Sequence, residues 1–133
     1  FSCNAAWQEV RHSLPKVAWA DIVWFPDSIP KHRFCLWLSF HNAHKTTNKL
    51  RAYGVVADNV CVFGCGGLES IDHLFFGCKF TAKIWNQSLR KYVFHRICRL
   101  WLEEAISVTE RLKGRGFKGW ISRFTLASMV YFC

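Results

Sequence analysis

Cys61, Cys65, His73 and Cys78 fall inside one eighteen-residue stretch, CVFGCGGLESIDHLFFGC, which holds three of the chain's seven cysteines. The spacing is Cys-x3-Cys-x7-His-x4-Cys. Three thiolates and one imidazole form a closed set of four donors, the composition of a structural zinc site. Sulfur ligands also favour zinc over calcium or magnesium. Two other readings compete: a disulfide, or ordinary buried thiols around a satisfied histidine. An odd number of cysteines, in a chain apolar enough to build a core without staples, argues against a disulfide scaffold and for a reducing compartment. Four donors so close together argue against chance burial. A closed site leaves no open coordination position, and no cysteine here is marked out by the basic partner that a nucleophile needs. The expected cofactor is therefore Zn2+, in a structural role.

The residues between the donors suggest how they are aimed. Gly64, Gly66 and Gly67 allow the positive φ values of a tight turn between Cys61 and the rest of the cluster. LFFG, between His73 and Cys78, reads as one helical turn whose Leu74 and Phe75 are free to pack on a core. Glu69 and Asp72 are placed either to orient His73 from behind or to be solvated turn residues. The sequence leaves that choice open.

Stepping outward, the chain has 133 residues, is 51% hydrophobic and 17% aromatic, and carries seven Trp and twelve Phe. This excludes a disordered tail and fits one ordinary domain. The longest apolar clusters, such as FCLWLSF, fall far short of the ~20 residues that cross a bilayer. No charged start precedes an apolar stretch and a small-residue cleavage site. The chain starts without methionine and is expected to be a piece of a longer polypeptide, acting inside the cell, in nucleus and/or cytoplasm, with no membrane partner.

Charge is uneven. The net charge is +9; seven basic and six acidic side chains precede Cys78, and eleven basic against three acidic follow it. The donor cluster thus stands at the border of a neutral half (+1) and a strongly basic half (+8). Such asymmetry suggests contact with a polyanion. The candidate nucleic-acid-binding residues are Lys79, Lys83, Arg90, Lys91, Arg96, Arg99, Lys113, Arg115 and Lys118. The last three lie in the loop KGRGFKG, which is read either as a phosphate grip or as a plain surface loop.

Helical periodicity dominates the rest. Asn4 can cap a helix running to about His12. VAWADIVWF sets Trp19, Ile22 and Val23 at helical spacing. Pro30 suits the first turn of KHRFCLWLSFH, whose Phe34, Trp37, Leu38 and His41 are expected on one apolar face. Thr46 or Thr47 can cap NKLRAY, and Gly54 suits its end. Beyond the cluster, one stripe is expected from Phe80, Ile84, Trp85, Leu89 and Tyr92, and another from Ile97, Leu100, Trp101, Ala105, Val108 and Leu112. WISRFTLASMVY reads as a last helix. Trp19, Trp24, Trp37 and Trp85 are read as core in preference to base-stacking residues, and Cys3, Cys35, Cys98 and Cys133 as core thiols. A catalytic role for His41 or His44 has no supporting partner. The expected fold is mainly α: a small helical domain with an irregular zinc-knuckle insertion.

CVFGCGGLESIDHLFFGC resembles the zinc-binding segment of the reverse-transcriptase zinc-binding family, found downstream of the polymerase in plant LINE-type non-LTR retrotransposon proteins. FSCNAAW is similar to its Ser-x-x-x-Ala-Trp opening. WADIVWFPDSIPKHRFCLWLSFHNAHKTTNKLRAYG is similar to its Trp-x-x-x-Trp, Pro-[Lys/Arg], Phe-x-Leu-Trp and Thr-x-x-x-Leu signposts. ESIDHLFFGCKFTAKIW carries the Glu-Ser, His-Leu-Phe-Phe, Cys and Ile-Trp signposts. The family often separates its first two cysteines by two residues, where this chain has three. The signposts run over residues 1–95, so the resemblance implies the family's zinc-binding domain there and leaves 96–133 as a basic helical C-terminal extension. The family's ligand roles fall on Cys61, Cys65, His73 and Cys78.

The resemblance implies a helper domain of a retroelement reverse transcriptase that holds RNA template or target DNA, with the polymerase domain of the same parent chain as a further partner. The parent is expected to be an RNA-directed DNA polymerase. The chain itself has no paired-aspartate polymerase motif and no acidic triad, and is not read as an enzyme. The alternative function is a zinc-stabilised structural or protein-interaction module without nucleic-acid binding. A salt-dependent affinity for RNA or DNA separates the two.

Overall fold

The computed structural model describes residues 2–11, 14–91, 100–111 and 116–133. Seven helices occur among them: α1 (Cys3–Val10), α2 (Ala20–Val23), α3 (Pro30–Phe40), α4 (Thr47–Ala52), α5 (Lys79–Lys91), α6 (Trp101–Arg111) and α7 (Phe117–Phe132). A π-helical turn, His73–Gly77, stands between α4 and α5. An isolated antiparallel bridge joins Val60 to Leu68, and no strand occurs among the described residues. The chain is therefore mainly α, with an irregular Cys/His insertion. No helix among the described residues is long and apolar enough to cross a membrane.

Pro30 opens α3 at its first position, where its missing N–H costs nothing. α7 lies along α3 and forms the main helix–helix interface, and α2 bridges α3, α6 and α7. Ile22, Val23, Leu36, Trp85, Leu89, Trp101, Ala105, Val108, Leu126 and Val130 meet in one core. Leu36 and Leu126 are wholly buried, so truncation of either to alanine is expected to cost about 2–5 kcal/mol. The expected boundary at residues 95 and 96 lies outside the described residues. So do Tyr92, Ile97, Cys98 and Leu112.

Three expected faces differ from the observed ones. The buried row of α3 is His32, Leu36 and Ser39, whereas Phe34 and His41 are exposed and Trp37 and Leu38 half-buried. Both buried polar side chains have partners. The Ser39 hydroxyl donates to the Cys35 carbonyl at 3.0 Å, and His32 Nδ1 lies 3.2 Å from Ser128 Oγ on α7. Rings from α7 also surround His32, with Tyr131 stacked at 4.4 Å and Phe132 edge-on at 5.6 Å. On α5 the buried row is Thr81, Trp85 and Leu89, leaving Phe80 and Ile84 exposed. On α6, Trp101, Ala105 and Val108 are buried, but Leu100, just before the helix, is exposed.

At the N-terminal end, the N-cap of α1 is Ser2, two residues before the expected Asn4, and the helix buries none of its side chains; Cys3 is exposed, not core. The expected end at His12 lies outside the described residues. Gly54 does terminate α4, with φ +72 and its N–H on the Arg51 carbonyl at 2.9 Å. Of the four tryptophans read as core, Trp85 is buried, Trp19 and Trp37 are half-buried against the core, and Trp24 is exposed.

Candidate metal centre

The cluster is built from two short pieces that face each other. Residues 59–69 double back: Cys61 N–H donates to the Gly67 carbonyl at 2.9 Å, and Gly64 N–H to the Cys61 carbonyl at 3.0 Å. Gly64 and Gly66 make the reversal with φ of +67 and +78, a region in which glycine has no steric penalty. Gly67 differs from the expectation, since its φ is not positive. It is needed for space, because a Cβ there would stand 2.5 Å from His73 Cε1.

The second piece is the turn His73–Gly77. Ser70 opens it: its hydroxyl accepts the His73 N–H at 3.1 Å, as an N-cap does. The turn closes as a π-turn, with Cys78 N–H on the His73 carbonyl at 2.7 Å. In an α-helix, positions five apart point about 140° away from each other, at 100° per residue. The wider i→i+5 closure brings His73 and Cys78 back to one side. Phe75 and Phe76 are then directed into the core, where Trp101 stacks on Phe76 at 6.0 Å and Phe75 lies 5.5 Å from Trp101. The sequence assigned Leu74 and Phe75 to this packing; the structure buries Phe75 and Phe76 and leaves Leu74 half-buried.

The four donor atoms lie within 4.8 Å of one another. Cys61 Sγ and Cys78 Sγ are 3.9 Å apart, and Cys65 Sγ and His73 Nε2 are 3.0 Å apart. A tetrahedral ion with metal–sulfur bonds of about 2.3 Å spaces its sulfurs by about 3.8 Å, so the residues fit a metal of zinc's size and ligand taste. Cys61 and Cys78 are buried, Cys65 and His73 half-buried, and all three cysteines are free thiols. Burial pushes the Cys61 thiol up to about 11, against a backbone hydrogen bond from Phe63. A backbone hydrogen bond from Gly67 draws Cys65 down to about 7. Such N–H groups aimed at sulfur favour the thiolates that a metal requires.

Glu69 does neither of the things its position suggested, and Asp72 is exposed but also holds a helix start. Glu69 is buried, accepting the Thr47 N–H on Oε1 at 2.8 Å and the Val62 N–H on Oε2 at 3.0 Å. It caps α4 from twenty-two residues away, where the sequence had assigned Thr46 or Thr47 to the task; Thr46 makes no side-chain cap bond. Asp72 accepts the Trp101 N–H at 3.1 Å, at the start of α6. The donor segment is thus a hub, holding the first turn of one helix before it and of one helix after it.

The remaining candidates are placed as follows. Lys79, Lys83, Arg90 and Lys91 are exposed along α5, and Lys118 is exposed in the first turn of α7. Arg96, Arg99, Lys113 and Arg115 lie outside the described residues. Cys35 and Cys133 are half-buried against the core. His44 is part of the scaffold: its Nε2–H points to the Cys35 carbonyl at 3.0 Å and lies 2.7 Å from Ser39 Oγ.

A helical domain carrying a closed set of three cysteines and one histidine is, by fold and donor chemistry, a structural metal-binding domain. The family described as zinc-binding in reverse transcriptase matches residues 1–85, which covers all four donors and the first half of α5. The chain belongs to that family. No curated protein and no solved structure matches it.

Proposed function

We propose that Cys61, Cys65, His73 and Cys78 hold one Zn2+ and that the domain lays its basic C-terminal half along a nucleic-acid backbone, as a non-catalytic helper of a reverse transcriptase. Family membership and the donor set support the metal. The single observation that carries the binding reading is the junction at Cys78. The last donor is followed at once by Lys79, and α5 then exposes Lys83, Arg90 and Lys91 without one acidic residue in its length. The ion would fix the direction in which this cationic helix leaves the core. Three thiolates leave the zinc site itself one negative charge, so attraction comes from α5 and not from the metal. Backbone contacts of this kind carry little sequence preference. RNA template and target DNA are both candidate partners, and the polymerase part of the parent chain is the expected neighbour.

The test is a salt series on zinc-loaded protein. Affinity for RNA or DNA should fall with salt, and replacing Lys83, Arg90 and Lys91 by alanine should flatten the log–log slope by roughly one unit per lost phosphate contact, with an unchanged far-UV circular dichroism spectrum. A triple variant indistinguishable from the parent would remove this surface from the reading. A parent without affinity at low salt would leave a zinc-stabilised interaction module instead.

A further inference from the structure

The solvent side of α5 carries two rows. Lys79, Lys83 and Arg90 occupy positions i, i+4 and i+11, which fall within about 40° of one another on a helix. Phe80, Ile84 and Lys91 repeat that spacing one residue later, about 100° further round. All six are exposed, with Phe80 at 55% and Ile84 at 38%. A phenylalanine this open on a helix that already buries Thr81, Trp85 and Leu89 is not filling the core. Its ring is nevertheless supported. Phe63, in the loop between Cys61 and Cys65, sets its own ring 5.2 Å from that of Phe80, tilted by 31°. The metal loop therefore backs an aromatic ring that stays 55% exposed, beside a file of cations about 16 Å long. The nearest preceding acid, Asp72, has its carboxylate engaged with the Trp101 N–H.

We infer that this face is a platform for single-stranded nucleic acid, in which the Lys79–Lys83–Arg90 row holds phosphates and Phe80, backed by Phe63, stacks on an unpaired base; the inference rests on the nucleic-acid reading above. Cations alone serve a duplex as well as a single strand, because both present phosphates. An exposed ring gains only from a base whose face is free, which duplexes withhold and single strands offer. A cation row without an acidic residue suits a uniform polyanion better than a peptide of mixed polarity. The metal loop takes part through Phe63, so the stacking half of the platform depends on the knuckle being ordered, while the phosphate half belongs to α5.

The experiment uses the zinc-loaded full chain and fluorescence anisotropy with a labelled single-stranded oligonucleotide, as DNA and as RNA, and with the DNA duplex of the same sequence. Single strands should bind more tightly than the duplex. Phe80→Ala should cost about tenfold in single-strand affinity, leave duplex affinity and the salt slope unchanged, and retain full zinc content. Phe80→Leu, which keeps an apolar side chain but cannot stack, should behave like alanine, and Phe80→Trp should restore binding. Phe63→Ala should give a smaller loss in the same direction. Equal affinity for single strand and duplex, or a Phe80→Leu protein that binds like the parent, would overturn the platform while leaving the backbone-binding reading standing. A parent with no affinity for any of the three oligonucleotides would overturn both readings.

Discussion

Where α3 meets α7, Leu36 and Leu126 are wholly buried and the rings of Tyr131 and Phe132 close around His32. Residues 59–78 fold differently: Val60, Val62 and Leu68 are exposed, and what holds the loop is a set of backbone hydrogen bonds, two of them to the buried Glu69 carboxylate. The helical layer loses its stability when apolar volume is removed. The knuckle has little apolar volume of its own beyond Phe75, Phe76 and Ile71, so its order depends on what its donors and its carboxylate hold. Two regions of one small domain are thus expected to answer to different perturbations, although Phe75 and Phe76 join the knuckle to the shared core.

The largest expected effect comes from the donors. Structural zinc sites contribute their binding free energy directly to folding, so Cys78→Ser or chelation should abolish stoichiometric zinc and raise amide exchange across residues 58–80. Exchange in α3 and α7 should rise far less. Leu126→Ala should show the converse: a stability loss of about 2–5 kcal/mol by denaturant titration, with zinc stoichiometry unchanged. Exchange–mass spectrometry on the two variants checks the pair. Equal loosening of both regions in Cys78→Ser would merge what the comparison separates.

A smaller, sharper break lies inside the knuckle. Gly67→Ala puts a methyl group 2.5 Å from His73 Cε1 and should turn that ring off the cluster. Loss of such support around a ligating histidine typically costs about 10–100-fold in metal affinity. Glu69→Gln keeps the size but turns one of two acceptors into a donor facing a backbone N–H. That leaves a buried N–H without a partner, worth about 1–3 kcal/mol. It should loosen α4 and the Val62 turn together, with the smaller loss in metal affinity. Competition titration with a chromophoric chelator ranks the two. A Gly67→Ala protein with parental affinity would show that the contact yields without moving the donor.

The legibility of these regions in the sequence divides along the same line. The convergence of Cys61, Cys65, His73 and Cys78 is readable because thiol and imidazole types, spacing and glycines all bear on one local event. The mainly helical class followed from periodicity. Faces were less readable where polarity misled: His32 and Ser39 occupy the buried row of α3 because Ser128, the Cys35 carbonyl and aromatic rings satisfy them, and none of those partners is visible from a helical wheel. Phe80 is expected on the stripe with Trp85 and Leu89 because it is apolar, although the neighbouring register, Thr81–Trp85–Leu89, is the one that faces inward. Least readable were the long-range caps. Nothing local to Glu69 or Asp72 announces an N–H from Thr47 or Trp101, and the π-closure at Cys78 depends on the aromatic pair that it drives into the core.

Acid gives the smallest effect and refines the contrast. Burial lowers the His32 pKa below its ordinary value of about 6.5. The groups that face its ring, Ser128, Phe124, Tyr131 and Phe132, carry no formal charge at neutral pH. A depressed histidine pKa means that the unfolded chain takes the proton first. The contribution of His32 is therefore whole above about pH 6.5 and is lost as pH falls through the folded value. His44 is lowered in the same direction, chiefly by burial. The knuckle also weakens in acid, because its donors must shed protons to bind metal. His32→Gln separates the two: it removes the titrating group from the α3–α7 layer and leaves His44 and the donors untouched. Denaturant titrations from about pH 7 to about pH 5 should show the parent losing more stability than His32→Gln, with zinc release following the same pH course in both. If the variant loses stability as steeply as the parent, His32 is not a source of the acid response.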